Sequence, residues 1–151
     1  MLFLVLTLVV TSVTCECEPG WVDASSSDMG CLMFRNVTMT WPEAAVYCQE
    51  QDSFLAETLN EDQLEFLRGE LESWWISPNG NTIWWLGGTD AGREGDWYWI
   101  GSLESVADFM WFHGEPNGGY RENYMSLMYF GKYSGNDAGD DIGHFAICQR
   151  K

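Results

Sequence analysis

Positive charge is what this chain has least of. Its 151 residues hold 7 Lys and Arg against 23 Asp and Glu, a formal net charge of −16. Such a surface repels phosphate backbones and anionic lipid, which argues against nucleic acid and acidic membranes as partners. Histidine is also scarce, with 2 in the chain. His113 lacks a Cys or His partner and makes a poor zinc ligand, while His144 reads as structural or exposed rather than catalytic. No GxSxG, HExxH or phosphate-binding loop occurs, and no carboxylate pair stands out as the acid and base of a glycosidase. The chain therefore does not read as an enzyme. Long apolar runs are limited to Met1–Val10 (MLFLVLTLVV), too short to span a bilayer. With small and polar residues after it, this run suits the apolar core of a secretory signal, though the usual basic start is missing. No repeat, linker, low-complexity tract, collagenous stretch or coiled coil interrupts the rest, which predicts one domain.

Cysteine is present in an odd number, 5, at positions 15, 17, 31, 48 and 148. Cleavage of a signal covering residues 1–15 would place Val13 and Cys15 at the two small-residue positions before the cut. It would leave four cysteines, enough for two bridges. Cleavage after Thr14 is the alternative and would keep a spare thiol. The even count favours the first, giving an extracellular mature chain. Aromatic content is high, with 9 Trp among 151 residues. These Trp-rich runs read as core rather than as exposed platforms.

Helical signals come early. Thr40-Trp41-Pro42-Glu43 has capping-box spacing, and Trp41, Ala44, Ala45 and Cys48 then share one helical face. Cys48 is thus inward-facing and placed to be tied to something distant. Thr58-Leu59-Asn60-Glu61 repeats the spacing and predicts a second helix capped by Thr58, with Leu64, Leu67 and Leu71 inward. Before these, CEPGWVDASSSDMGC runs from Cys17 to Cys31, and pairing its two cysteines would close a small loop worth about 3 kcal/mol. Residues 30–38 read as a strand and carry a glycosylation sequon at Asn36-Val37-Thr38. A turn is predicted at Ser77-Pro78-Asn79-Gly80. Beyond it periodicity stops, and short aromatic strands (84–86, 97–99, 124–130, 145–148) alternate with long loops of the kind that carry function.

Within those loops, Glu115-Pro116-Asn117 sets a carboxylate and an amide either side of a proline, which can be cis at modest cost. Glu122 and then Asn136-Asp137 follow. Hard oxygen donors gathered in this way suit calcium, which takes six to eight oxygens.

The ordered set TWPEAAVYC, WWLGGTD, EGDWYW, WFHGEPN, GND and FAIC resembles the C-type lectin domain, over residues 17–148 of a predicted lectin domain at 17–151. The resemblance implies an α+β fold of two helices, antiparallel strands and a long calcium-binding loop region. It implies bridges Cys17–Cys31 and Cys48–Cys148, the latter worth about 4–5 kcal/mol because it closes a long loop. A second core bridge of the family is missing, its positions falling on Tyr124 and Asp140. Gly135 replaces the usual Trp before Asn-Asp, and both changes are expected to loosen that loop. The family's sugar-binding Ca2+ site carries over to Glu115, Asn117, Glu122, Asn136 and Asp137. An auxiliary calcium site is only half matched, by Asp90 and Glu94, because Gly118 and Asn123 replace acidic residues; it is expected to be weak or empty.

The order Glu-Pro-Asn resembles mannose-type sites, implying a secreted, calcium-dependent lectin for mannose, glucose, N-acetylglucosamine or fucose-like glycans. A role in pathogen or cell-surface recognition follows only at the family level. The alternative on the same fold is an acidic protein that binds a mineral or ice surface. That function needs only distributed carboxylates rather than five converging donors.

Overall fold

The computed structural model describes residues 16–74 and 82–151. The expected signal segment, Cys15 and the expected turn at 77–80 lie outside the described residues. The first helix begins as the sequence dictates. Thr40 accepts from the Glu43 amide, Glu43 returns a carboxylate to the Thr40 amide at 2.8 Å, and Pro42 sits in the first turn. Helix α1 then runs Trp41–Glu50, with Trp41, Ala44 and Cys48 buried.

Helix α2 runs Glu61–Trp74, with Leu64, Leu67 and Leu71 buried. Its start corrects the expected cap. Asn60, not Thr58, accepts from the Gln63 amide at 3.0 Å. Thr58 is buried and donates instead to the Met110 sulfur at 2.6 Å, a partner 52 residues away. A tertiary contact has taken the hydroxyl that local spacing assigned to the helix.

The strands are β1 (Val22–Asp23), β2 (Cys31–Met39), β3 (Phe54–Leu55), β4 (Trp84–Thr89), β5 (Tyr98–Trp99), β6 (Tyr124–Tyr129), β7 (Tyr133–Ala138) and β8 (His144–Arg150). They form one sheet in the order β1-β2-β8-β4-β6-β7, with β3 on β8 and β5 on β4. The expectation of antiparallel strands needs one correction. β4 and β8 pair in parallel, Trp84 against Phe145 and Trp85 against Ala146, so the sheet is mixed.

Alternation along the strands sorts side chains onto two faces. Trp84, Leu86 and Ile147 pack with the leucines of α2, while Trp85, Ala146 and Cys148 pack with Trp41, Ala44 and Cys48 of α1. Every residue of β4 is therefore buried, and up to its last residue, Thr89, its sequence lacks polar alternation. The indole N–H groups of Trp41 and Trp85 find carbonyls at Leu86 and Met39, at 2.7 and 2.8 Å. Both implied bridges are present, Cys17–Cys31 joining the N-terminal segment to β2 and Cys48–Cys148 joining α1 to β8.

Candidate functional site

The site is built where β6 and β7 meet the long segment between β5 and β6. The sequence placed Asn136 and Asp137 on a loop; they lie instead on β7, opposite Ser126 and Met125 of β6. Gly135, expected to loosen this region, does the reverse. It forms a parallel bridge with Trp111, and its carbonyl accepts from the Phe112 amide at 2.9 Å. A Cβ there would stand 2.7 Å from the Met110 carbonyl oxygen, so only glycine lets the segment lie this close to β7. At one position of the absent family bridge the chain has an aromatic contact to α1. Tyr124 stacks on Trp41 with ring centroids 4.5 Å apart.

From that support the chain turns through Gly114, whose φ is +95°, into a cis Glu115-Pro116 bond. Asp137, 1% exposed, reaches across from β7. Its carboxylate accepts from the Asn117 amide at 3.0 and 3.1 Å and from the Gly118 amide at 2.7 Å. The Asn117 side chain donates to Glu115 Oε1 at 2.9 Å, and the Asn136 side chain donates to the Asp137 carbonyl. Glu122 closes the 3-10 turn Gly119–Arg121 that follows and folds back over Gly118. Glu115, Asn117, Glu122 and Asp137 thus lie together, while Asn136 adjoins them along β7 with its side chain engaged on its neighbour's carbonyl.

Asp90 and Glu94 adjoin them. Asp90 accepts from the Gly95 amide at 2.8 Å, and its own amide donates to the Asn123 carbonyl at 3.3 Å. The electrostatics of the whole group are one-sided. Burial, then Asp137 as hydrogen-bond partner and like charge, then Glu122, push the Glu115 carboxyl up to about 7. Burial and then Asp137 raise Glu122. Glu94 is raised by burial, then by Asp90 and Asp137, while Asp90 is raised by burial above all. The ion pairs among the described residues, Arg68–Glu65, Arg150–Glu18 and Lys151–Glu57, involve none of these carboxylates.

Among the described residues no three His, Cys, Asp or Glu side chains are gathered closely enough to hold a metal as they stand. Part of the donor set is turned inward, with the Asp137 carboxylate on backbone amides and the Asn117 side chain on Glu115. The chemistry nonetheless fits a hard cation. Glu115 Oε2, Asp90 Oδ1 and Glu94 Oε2 are buried oxygens without a partner, set among like charges and beside two side-chain amides. Two features were not legible in the sequence. One is an open groove of about 530 Å³ that begins at Glu115 and Pro116 and continues over Trp111, Trp97 and Val106. The other is the close packing of Glu122 on Gly118, since no sequence signal marks a glycine that serves by leaving room.

Comparison with known proteins agrees with this architecture. Residues 37–150 match the family model described as Lectin C-type domain. The human protein "C-type lectin domain family 4 member K" is 32% identical over 123 residues, covering 78% of this chain and 34% of that protein, so the chain spans about a third of its relative's length. The structure of the C-type lectin CEL-I from Cucumaria echinata superposes with a TM-score of 0.78 at 19% identity, covering 89% of this chain and 96% of the other. That of a Ca2+-dependent type II antifreeze protein in its Ca2+-free form gives 0.74 at 22% identity, over 89% and 100%. With its two helices, mixed sheet and matched sequence, the chain belongs to the C-type lectin domain family.

Proposed function

We propose that residues 17–151 form a secreted, calcium-dependent carbohydrate-binding domain, with residues 1–15 as a signal segment, and that its site takes mannose-type glycans. What supports the reading is the meeting of Glu115, Asn117, Glu122 and Asp137, with Asn136 next along β7, beside a buried Glu115 oxygen that lacks a partner. Calcium bound there would supply positive charge to these carboxylates and direct coordination to sugar hydroxyls. The side-chain amides of Asn117 and Asn136 are donors and the carboxylates of Glu115 and Glu122 are acceptors, so two adjacent hydroxyls meet a fixed pattern of partners. Asp90 and Glu94 form a second and weaker cation site. The groove that starts at Glu115 and Pro116 gives a longer glycan room beyond its first sugar. A small open site of this kind binds single sugars weakly, and useful avidity comes from multivalent display. A mineral- or ice-binding surface would not need five donors converging on one point.

Retention on mannose-agarose tests the reading. Wild type is expected to bind with calcium and to elute with chelator; retention unchanged by EDTA rejects it. The double variant Glu115→Gln with Asn117→Asp exchanges donor and acceptor at constant net charge. It is expected to lose mannose preference and gain some galactose binding. If galactose already outcompetes mannose on wild type, the assignment of Glu115 and Asn117 is wrong.

A further inference from the structure

The family resemblance reads Gly118 as standing where an acidic ligand is expected, but its surroundings give it another part. We propose that Gly118 is a positioning residue for Glu122: the missing side chain at 118 is the space in which the Glu122 carboxylate is held at the site. The proposal rests on the reading of Glu122 as a calcium ligand.

Gly118 has φ −82° and ψ −15°, an ordinary right-handed conformation that alanine adopts freely. Its neighbour Gly119 differs, since φ +54° there favours glycine for conformational reasons. What excludes a side chain at 118 is therefore space alone. A Cβ at Gly118 would lie 2.2 Å from Glu122 Oε2, 2.3 Å from Glu122 Cβ and 2.4 Å from Glu122 Cδ. Rotation about the Glu122 side-chain bonds can move the carboxylate but not the Cβ, which is fixed to the backbone. That backbone is held by the turn, where the Glu122 amide donates to the Gly119 carbonyl at 3.0 Å. A methyl group at 118 must expel the carboxylate and open the turn together.

Gly118 also donates its amide to Asp137 Oδ2 at 2.7 Å. One residue thus fixes a carboxylate on β7 through its N–H and admits a second through its bare Cα. Residues that orient metal ligands are typically worth about 10–100-fold in metal affinity.

The test is a calorimetric calcium titration of wild type, Gly118→Ala, Glu122→Gly and the double variant, with thermal midpoints in chelator alongside. Gly118→Ala is expected to lose about tenfold or more in calcium affinity. Glu122→Gly removes all three atoms that the methyl would strike. The double variant is therefore expected to bind calcium as Glu122→Gly does, with no further loss. Should Gly118→Ala alone fail to fold, the double variant is expected to fold again, because the collision is gone. A Gly118→Ala that binds like wild type overturns the proposal. So does a loss that repeats in full on the Glu122→Gly background, or a failure of Glu122→Gly to restore folding. Absence of calcium binding by wild type itself would overturn the proposed function instead, so the two failures are separable.

Discussion

The half of the molecule built on α1, α2 and β8 and the half that carries Glu115 to Asp137 are stabilised by opposite means. In the first, Trp84, Trp85, Leu64, Leu67, Leu71 and Cys148 are wholly or almost wholly out of water, and a bridge spans residues 48 to 148. In the second, β6 and β7 adjoin a segment of two 3-10 turns and one cis peptide, and a carboxylate on two backbone amides ties that segment to β7. The first half gains by excluding water. The second gathers like charges and leaves buried oxygens without partners, which costs stability until something positive arrives. A binding site and a core thus make opposite demands on one short chain, and the core has to carry the difference.

Breaking the core is expected to have the largest effect. The Cys48–Cys148 bridge closes a loop of sequence separation 100 and is worth about 4–5 kcal/mol in the loop-entropy account. Replacing both cysteines by alanine should lower the denaturation free energy by about that amount, whether or not calcium is present. Equilibrium urea denaturation checks it. A loss seen only without calcium would mean that the bridge serves the site and not the core.

How far each half could be read from sequence follows from the same contrast. The Thr40–Glu43 cap was legible because all its partners lie within one turn, and the leucine face of α2 because burial repeats with the helix. Asn60 was missed as a cap because Thr58 is claimed by Met110, far along the chain. The parallel β4–β8 pair brings Trp84 to Phe145, a long-range contact that no local pattern encodes. The site's residue types were legible as a motif. Their support was not: Gly135 reads as a lost aromatic until the Met110 carbonyl is seen where a side chain would go. The two bridges came from family likeness, since the cysteine count alone leaves the pairing open.

A smaller effect should appear within the site, and its sign is set by the raised Glu115. A carboxyl held at about 7 when folded, against an ordinary 4.5, contributes stability below pH 4.5 and loses it as pH rises through 7. Half-buried His144, its pKa lowered by desolvation, acts in the opposite direction as pH falls, so the wild-type curve alone mixes the two. The difference between wild type and Glu115→Gln isolates the carboxyl. In calcium-stripped protein, Glu115→Gln should melt higher than wild type at pH 8, and the gap should close by pH 5. Calcium should reverse the order at pH 8, because the metal needs the ionised form. Thermal midpoints at both pH values measure this, and a stripped Glu115→Gln no more stable than wild type at pH 8 would contradict it.

The smallest effect falls at the seam between the halves, on Tyr124. It opens β6 directly after Glu122 and Asn123, pairs with Ala138 just beyond Asp137, and stacks on Trp41 at the start of α1. Burial first, and the nearby Asp140 second, raise its phenol, which stays neutral. If the stack does part of a bridge's work, Tyr124→Leu, which keeps apolar bulk but loses the ring, should cost about 0.5–1.5 kcal/mol. Calcium affinity should move much less, because the backbone ladder between β6 and β7 still holds Asp137. Urea midpoints and calcium titration on the same variant separate the two quantities. A large fall in calcium affinity with little loss of stability would place Tyr124 in the site's half of the molecule, and the boundary drawn between the halves would have to move to α1.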